Sequence, residues 1–282
     1  MATRSNESHV IGGSYAGHPP CWMWAVVVVL VLAAGTALAD FQAGWEAYQQ
    51  GDFTAALKAW RPLAERGDVR AQYNLGVLYD DGKGVSQEST QAVAWWRKAA
   101  EGGYAPAQHN LASSLISGNG TAQAYDEAAA WLHKASAQGL SRSTYTLGKM
   151  YEYGLGMPAD KAVALKLFHQ AGEQGYDRAQ YNLGKMYRDG DGTRKNLKEA
   201  VRWYRMAAEQ DYAKAQASLS MRYALGEGVE KDPVQALMWT ILAARQGLKR
   251  AITTRDKMKL TLSAADVARA ETLADAWKPV AR

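Results

Sequence analysis

Ala179-Gln-Tyr-Asn-Leu183-Gly184-Lys-Met-Tyr187-Arg-Asp-Gly190-Asp-Gly192 is the stretch on which the reading of the fold turns. Its alanine, leucine and tyrosine stand at i, i+4 and i+8. At about 100° per residue that spacing drifts only about 80° around a helix, so the three form one buried stripe. The small Gly184 beside the leucine lets a neighbouring helix approach closely. The paired glycines Gly190 and Gly192 take the chain out of the helix through positive φ.

The same string recurs at a step of 36 residues, as Ala71-Gln-Tyr-Asn-Leu75-Gly76, Ala107-Gln-His-Asn-Leu111-Ala112, Ser143-Thr-Tyr-Thr-Leu147-Gly148 and Ala215-Gln-Ala-Ser-Leu219-Ser220, and Ala251 continues it. Paired glycines keep the same phase at Gly82/Gly84, Gly118/Gly120, Gly154/Gly156 and Gly226/Gly228. So do Trp95, Trp131, Trp203 and Trp239, with Leu167 and Phe168 in the gap. A closing glycine stands at Gly67, Gly103, Gly139, Gly175 and Gly247, replaced once by Asp211, one of the few residue types that tolerate the left-handed region. Each unit therefore carries a second helix. Its caps are Asp160, Asn196 or Asp232, with Pro233 at the first helical position and Glu199 completing a capping box with Asn196. Its buried stripe runs through Ala200, Trp203, Tyr204 and Ala207, which places the in-phase tryptophans in the core. The fold class is all-α: an α-α superhelix, or solenoid, of stacked helix-turn-helix repeats with a 36-residue period.

The pattern A-x-x-x-L-G-x-x-Y-x-x-G-x-G, an acidic or Asn cap, A-x-x-W and A-A-x-x-G at this period resembles the Sel1-like repeat family, a longer-looped relative of the tetratricopeptide repeat. The resemblance covers five units over residues 71–250 and implies a right-handed solenoid that acts as a scaffold or adaptor, in envelope assembly or host contact. Upstream, Gly51-Asp52-Phe53 to Trp60 and Gly67 resembles a short-looped tetratricopeptide hairpin, so residues 40–70 are expected to cap the N-terminus. Residues 251–282 are expected to form a C-terminal helical cap, with Ser263-Ala-Ala-Asp266 opening a last helix toward Trp277. Some cysteine-rich relatives are implied to act on cell-wall-like or β-lactam ligands. They carry a cysteine pair in each repeat, which this chain lacks, so that activity is not carried over.

Residues 1–39 read as a signal peptide. An apolar run from Trp22 to Leu32 ends in Thr36-Ala37-Leu38-Ala39, small residues that suit signal-peptidase cleavage after Ala39. Export to the periplasm or medium follows. The alternative is a membrane anchor formed by residues 22–38, or a start at Met23. The single cysteine, Cys21, lies in this segment, so the remainder has no disulfide and no thiolate metal site.

The 282 residues are 48% hydrophobic and 22% charged, a folding composition, and the formal net charge of +5 is weak support for a polyanionic partner. The paired glycines follow helices and lack a Gly-Lys-Ser/Thr ending, so they are not phosphate loops. No Gly-x-Ser-x-Gly, His-Glu-x-x-His or Cys-x-x-Cys motif occurs. His133 and His169 share a phase with Arg97 and Arg205 but have no obvious third metal ligand, and a basic, solvated outer ridge is the simpler reading. The sequence gives no reason to expect an enzyme, a cofactor, a metal or nucleic-acid binding.

Counting from the repeat alanine, one row on the side of helix one away from the core reads Tyr73, His109, Tyr145, Tyr181 and Ala217, and beside it stand Lys149 and Lys185. Asn74, Asn110 and Asn182 flank this row. It suggests a strip for a protein or peptide partner on the concave surface. The competing reading is that these rings pack between adjacent first helices. A second row, Arg70, Arg142, Arg178, Lys214 and Arg250, with Pro106 the exception, opens the first helices against their macrodipole, and is either attractive to an acidic partner or a solvated edge. The expected function is an exported, non-enzymatic scaffold. Its alternatives are a module, or enzyme, for an envelope polymer, and a basic subunit docked on a membrane surface.

Overall fold

The computed structural model describes residues 40–280, so the expected signal peptide or anchor lies outside the described residues. Helix α1 occupies residues 40–49. It is followed by α2 (Phe53–Glu65), α3 (Val69–Asp81), α4 (Ser89–Glu101), α5 (Ala105–Ser117), α6 (Tyr125–Ala137), α7 (Ser141–Tyr153), α8 (Lys161–Glu173), α9 (Asp177–Asp189), α10 (Leu197–Glu209), α11 (Ala213–Leu225), α12 (Pro233–Arg245), α13 (Lys249–Thr261) and α14 (Ala264–Ala276). No strand occurs among the described residues. Consecutive helices pack on one another in an unbroken series from α2 to α13, the all-α solenoid expected from the period. Among the described residues no helix is long and apolar enough to cross a membrane.

Three of the five repeat hairpins close on a ring set against a glycine; the other two have Leu132 and Thr240 at the ring's position. A Cβ on Gly76 would run into Trp96, one on Gly148 into Phe168, and one on Gly184 into Tyr204. These rings are buried, and Trp96 Nε1 donates to Tyr73 O at 3.2 Å. The N-terminal hairpin repeats the joint with Gly44 and Trp60, whose indole N–H reaches Phe41 O at 3.1 Å. The core ring thus falls one residue later than the sequence places it. Trp203 and Trp239 are buried, but Trp95 and Trp131 are only half-buried, with Lys98 and Lys134 nitrogens 4.1 and 4.0 Å from the ring centroids. One residue is about 100° of helix rotation, enough to turn a ring from the joint to its rim. The same correction applies to helix one: Leu78, Met150 and Met186 complete the stripe, while Tyr79 and Tyr187 sit at its edge. The Tyr79 hydroxyl accepts from Arg61 Nη2 at 2.9 Å, and the Tyr187 hydroxyl lies 2.8 Å from His169 Nε2.

Buried glutamines tie neighbouring units together. Gln72, Gln108, Gln180 and Gln216 donate to carbonyls eight residues back (Ala64, Ala100, Gly172 and Ala208) at 2.9–3.3 Å. Three of them then accept at Oε1 from a glutamine thirty residues on: Gln138 to Gln108, Gln210 to Gln180 and Gln246 to Gln216. Gln72 Oε1 has no partner among the described residues, because Gly102 stands where that glutamine belongs. Asp211, at φ 64° in place of the closing glycine, accepts from Gln216 and Gln246 at 3.0 and 2.7 Å, so its side chain joins the ladder.

The caps form as expected at Asp160, Asn196 and Asp232. The Asn196 box stays half closed, since the Glu199 carboxylate goes to Arg202 Nη1 at 3.2 Å. At the C-terminal end Ser263 caps α14, which packs on α12 rather than α13. Arg245 Nη1 donates to Ala274 O at 2.8 Å, Trp277 meets Trp239 at 6.1 Å between centroids, and Val280 N reaches back to Glu209 O at 2.9 Å.

The two glycines of each turn do different work. The first ends the helix in the left-handed region, as Gly190 does at φ 79°. The second meets the preceding unit: a Cβ on Gly120 would collide with the Ser89 carbonyl, whereas the closing Gly139 has open space around it at a similar φ of 85°. Gly139→Ala should therefore lose only the left-handed strain, about 1–2 kcal/mol. Gly120→Ala should lose a further 1–3 kcal/mol, roughly, from overpacking between units. Denaturant melts of both variants check this; equal losses would remove the second glycine from the joint.

Candidate functional site

Helices α3, α5, α7, α9, α11 and α13 carry the face on which the sequence places a partner strip. Tyr73, Tyr145 and Tyr181 are half-buried there and pack against the tyrosine that opens the next first helix: Tyr73 on Tyr104 (5.4 Å), Tyr145 on Tyr176 (5.1 Å) and Tyr181 on Tyr212 (5.4 Å). The row is thus a seam between neighbouring first helices, and its rings complete one another rather than pointing free. Sequence reasoning missed Tyr104, Tyr176 and Tyr212, whose signal was their fixed place right after the closing residue. Asn182 is buried and donates to the Tyr145 hydroxyl at 3.0 Å, while Asn74 and Asn110 are half-buried. Lys149 pairs with Glu152 and donates to the Tyr153 hydroxyl at 3.0 Å. Lys185 is half-buried on the same face.

His109 replaces tyrosine in the seam. Its Nδ1 lies 2.9 Å from Ser143 Oγ, and burial together with the nearby Arg142 guanidinium lowers its pKa to about 4. Among the described residues no group of three or more His, Cys, Asp or Glu side chains is placed to hold a metal ion; His169 is engaged by Tyr187 and stacks edge-on against Trp203 at 5.2 Å. In the basic row, Arg70 is matched by its own capping Asp68 at 2.8 Å, whereas Arg250 is exposed and forms no ion pair among the described residues.

A cleft opens in this face at the fifth unit. Between α9, α11 and α13, with α10 and α12 as its floor, lies a cleft of about 500 Å³. Tyr204 lines it; its hydroxyl is buried with no hydrogen-bond partner among the described residues, and burial pushes its pKa up. Ser220 Oγ and Thr240 Oγ1 are 2.6 Å apart on the floor, and Thr240 lies 3.7 Å from Met258 Sδ. Met221 and Leu225 at the mouth are 37% and 55% exposed and lie one helical turn apart on α11. Arg188, Arg222 and Arg250 line the cleft, the first two also paired with Asp189 and Glu227. The sequence signal for it was a pair of gaps in the period: Ala217 in the tyrosine row, and Thr240 in the register of Trp96, Phe168 and Tyr204.

Residues 69–104, 105–140, 141–176, 177–212 and 213–248 each match the Sel1 repeat. The chain belongs to the Sel1 repeat family, whose solenoids are protein-interaction scaffolds. It is similar to a Sel1 repeat protein from Oxalobacter formigenes, with 28% identity and a TM-score of 0.72 over 86% of this chain and 97% of that one. It also shares its fold with c5321, a protective antigen present in uropathogenic Escherichia coli strains, at 24% identity and a TM-score of 0.52 over 88% of this chain and 70% of that one. No curated protein matches it.

The His109 environment has a pH consequence. The unfolded chain takes up a proton at this imidazole below about pH 6.5 that the folded chain refuses until about pH 4, so the folded state loses stability as pH falls through that window. Measured against His109→Gln, wild type should lose relative stability from pH 6.5 down to 4 and hold a constant difference above 7.5. A difference that stays flat across the acid range would mean that the imidazole is accessible when folded.

Proposed function

We propose that the protein is an exported, non-enzymatic scaffold that presents its first-helix face to a protein or peptide partner. The observation that carries the reading is the cleft at the fifth unit, where a face otherwise sealed by tyrosine pairs opens beside exposed Met221 and Leu225. The flexible, polarisable thioether of a methionine at a solvent-facing groove adapts to the side chains of a partner. The half-buried polar residues that lead to the cleft, Asn74, Asn110, Lys149 and Lys185, supply donors along the path of an extended segment. Export is supported by the sequence of residues 22–39 alone, with its apolar run and small residues at Ala37 and Ala39.

Photo-crosslinking amino acids at Ser113, Lys185 and Met221 on the first-helix face, and at Lys98 and Lys134 on the second helices, test this in the native compartment. A protein adduct from the first three positions and none from the last two is expected. Adducts from the second helices alone, or adducts to glycan or lipid in place of protein, would replace the scaffold reading with one of its alternatives. N-terminal sequencing of the same material should begin at Asp40; a chain that begins at Met1 or Met23 and stays with the membrane would make the segment an anchor.

A further inference from the structure

Two ring-sized gaps meet in the cleft. Where Tyr73, His109, Tyr145 and Tyr181 stand in earlier units, the fifth has Ala217; where Trp60, Trp96, Phe168 and Tyr204 stand, it has Thr240. Leu132 also interrupts the second register, but it is fully buried against a neighbourhood that includes Ala112 and Leu115, so nothing opens there. At the fifth unit Ser220 and Thr240 bond to each other and to Ala236 O, and the volume the rings would fill stays empty.

We propose that this cleft receives a segment of a partner protein that inserts an aromatic side chain with a carboxylate beside it. The inference rests on the scaffold reading above and names the chemistry of its partner. The missing rings set the shape of the guest, and the sulfur and methyl groups of Met221, Leu225 and Met258 give an adaptable apolar wall. The charge is complementary: three arginines and no acidic side chain line the cleft, and Arg250 has its guanidinium free of any ion pair among the described residues. A planar guanidinium binds a carboxylate through two parallel hydrogen bonds. The Tyr204 hydroxyl, on a residue that lines the cleft, is buried with no acceptor among the described residues, an arrangement that costs free energy and is relieved when a carboxylate oxygen accepts a hydrogen bond from it. The exposed side chains of Met221 and Leu225 continue the apolar surface beyond the cleft, which fits a polypeptide running along the face better than an isolated small molecule.

Selection of a random-peptide phage library on the folded protein, followed by affinity measurement of the enriched peptides on three proteins, tests the proposal. The proteins are wild type, Ala217→Tyr, which restores the ring that the preceding unit carries at Tyr181, and Arg250→Gln, an exposed change that leaves the packing alone. Peptides with an aromatic residue next to Asp or Glu are expected. Their affinity should fall by about tenfold or more in Arg250→Gln, the loss of a charge-assisted bond, and more in Ala217→Tyr. Methyl signals of Met221 and Met258 should move on binding in wild type. Peptides of other composition that bind all three proteins alike would overturn the cleft proposal and leave the scaffold reading standing, while no enrichment of any peptide would count against both. A wild-type dimer that Ala217→Tyr dissolves would assign the cleft to a second copy of the chain and overturn the proposal.

Discussion

The structure depends most on one steric constraint: at the N-terminal hairpin and in three of the five repeats, a first helix brings a nearly bare backbone against a ring from the second. Gly76, Gly148 and Gly184 have no room for a Cβ because Trp96, Phe168 and Tyr204 occupy it. A helix pair made this way is tightly closed on one side and open on the other, where its apolar stripe waits for the next pair. The second turn glycine and the glutamine ladder then fix how far the next pair can sit. Both act across the joint between units, through helix-start backbone and through glutamines that recur at fixed positions, so each joint can be repeated with different surface residues. That is how one geometry tolerates units as different as those around Leu132 and Tyr204.

Most of this architecture is legible in the sequence because every joint is paid for by a residue type with few substitutes. Glycine at positive φ, a small residue beside leucine, and Asp, Asn or Pro at helix starts each leave a mark at a fixed spacing. Asp211 is the instructive exception. The sequence allows it as a left-handed residue, and the structure adds that its carboxylate takes the two ladder glutamines that a glycine would leave to themselves. The errors came from angular resolution. Trp95 and Trp131 are more conspicuous than Trp96 and Leu132, but a single step along the helix turns them from the joint to its rim.

The face proposed to meet a partner was legible in a different way. Tyr73, Tyr145 and Tyr181 form a periodic row, and periodicity in a stacked protein records contact between units more strongly than contact with a ligand. Their partners Tyr104, Tyr176 and Tyr212 lie in the following unit, at a separation no single-helix projection reveals. What distinguishes the fifth unit is a departure from the pattern. Ala217 and Thr240 each look like a minor lapse along the chain; only stacking brings the two lapses to one cleft, beside a tyrosine hydroxyl with nothing to bond. In a repeat protein the regular positions describe the fold, and coincident irregularities describe the site.

If neighbouring units are joined only through these local contacts, a whole unit can be removed and the chain will close again on the same register. Excision of residues 141–176 would seat the Gly192 turn on the start of α6, where Gly156 now sits, and bring Gln180 to the place of Thr144. The direct measurement is urea unfolding of this shortened chain by circular dichroism. The account predicts the helical signal per residue of wild type, a cooperative transition, and an m-value reduced in proportion to the surface removed. A shortened chain that has lost its helix signal, or melts without cooperativity, would contradict it and place the stability in long-range contacts that the repeat joints do not explain.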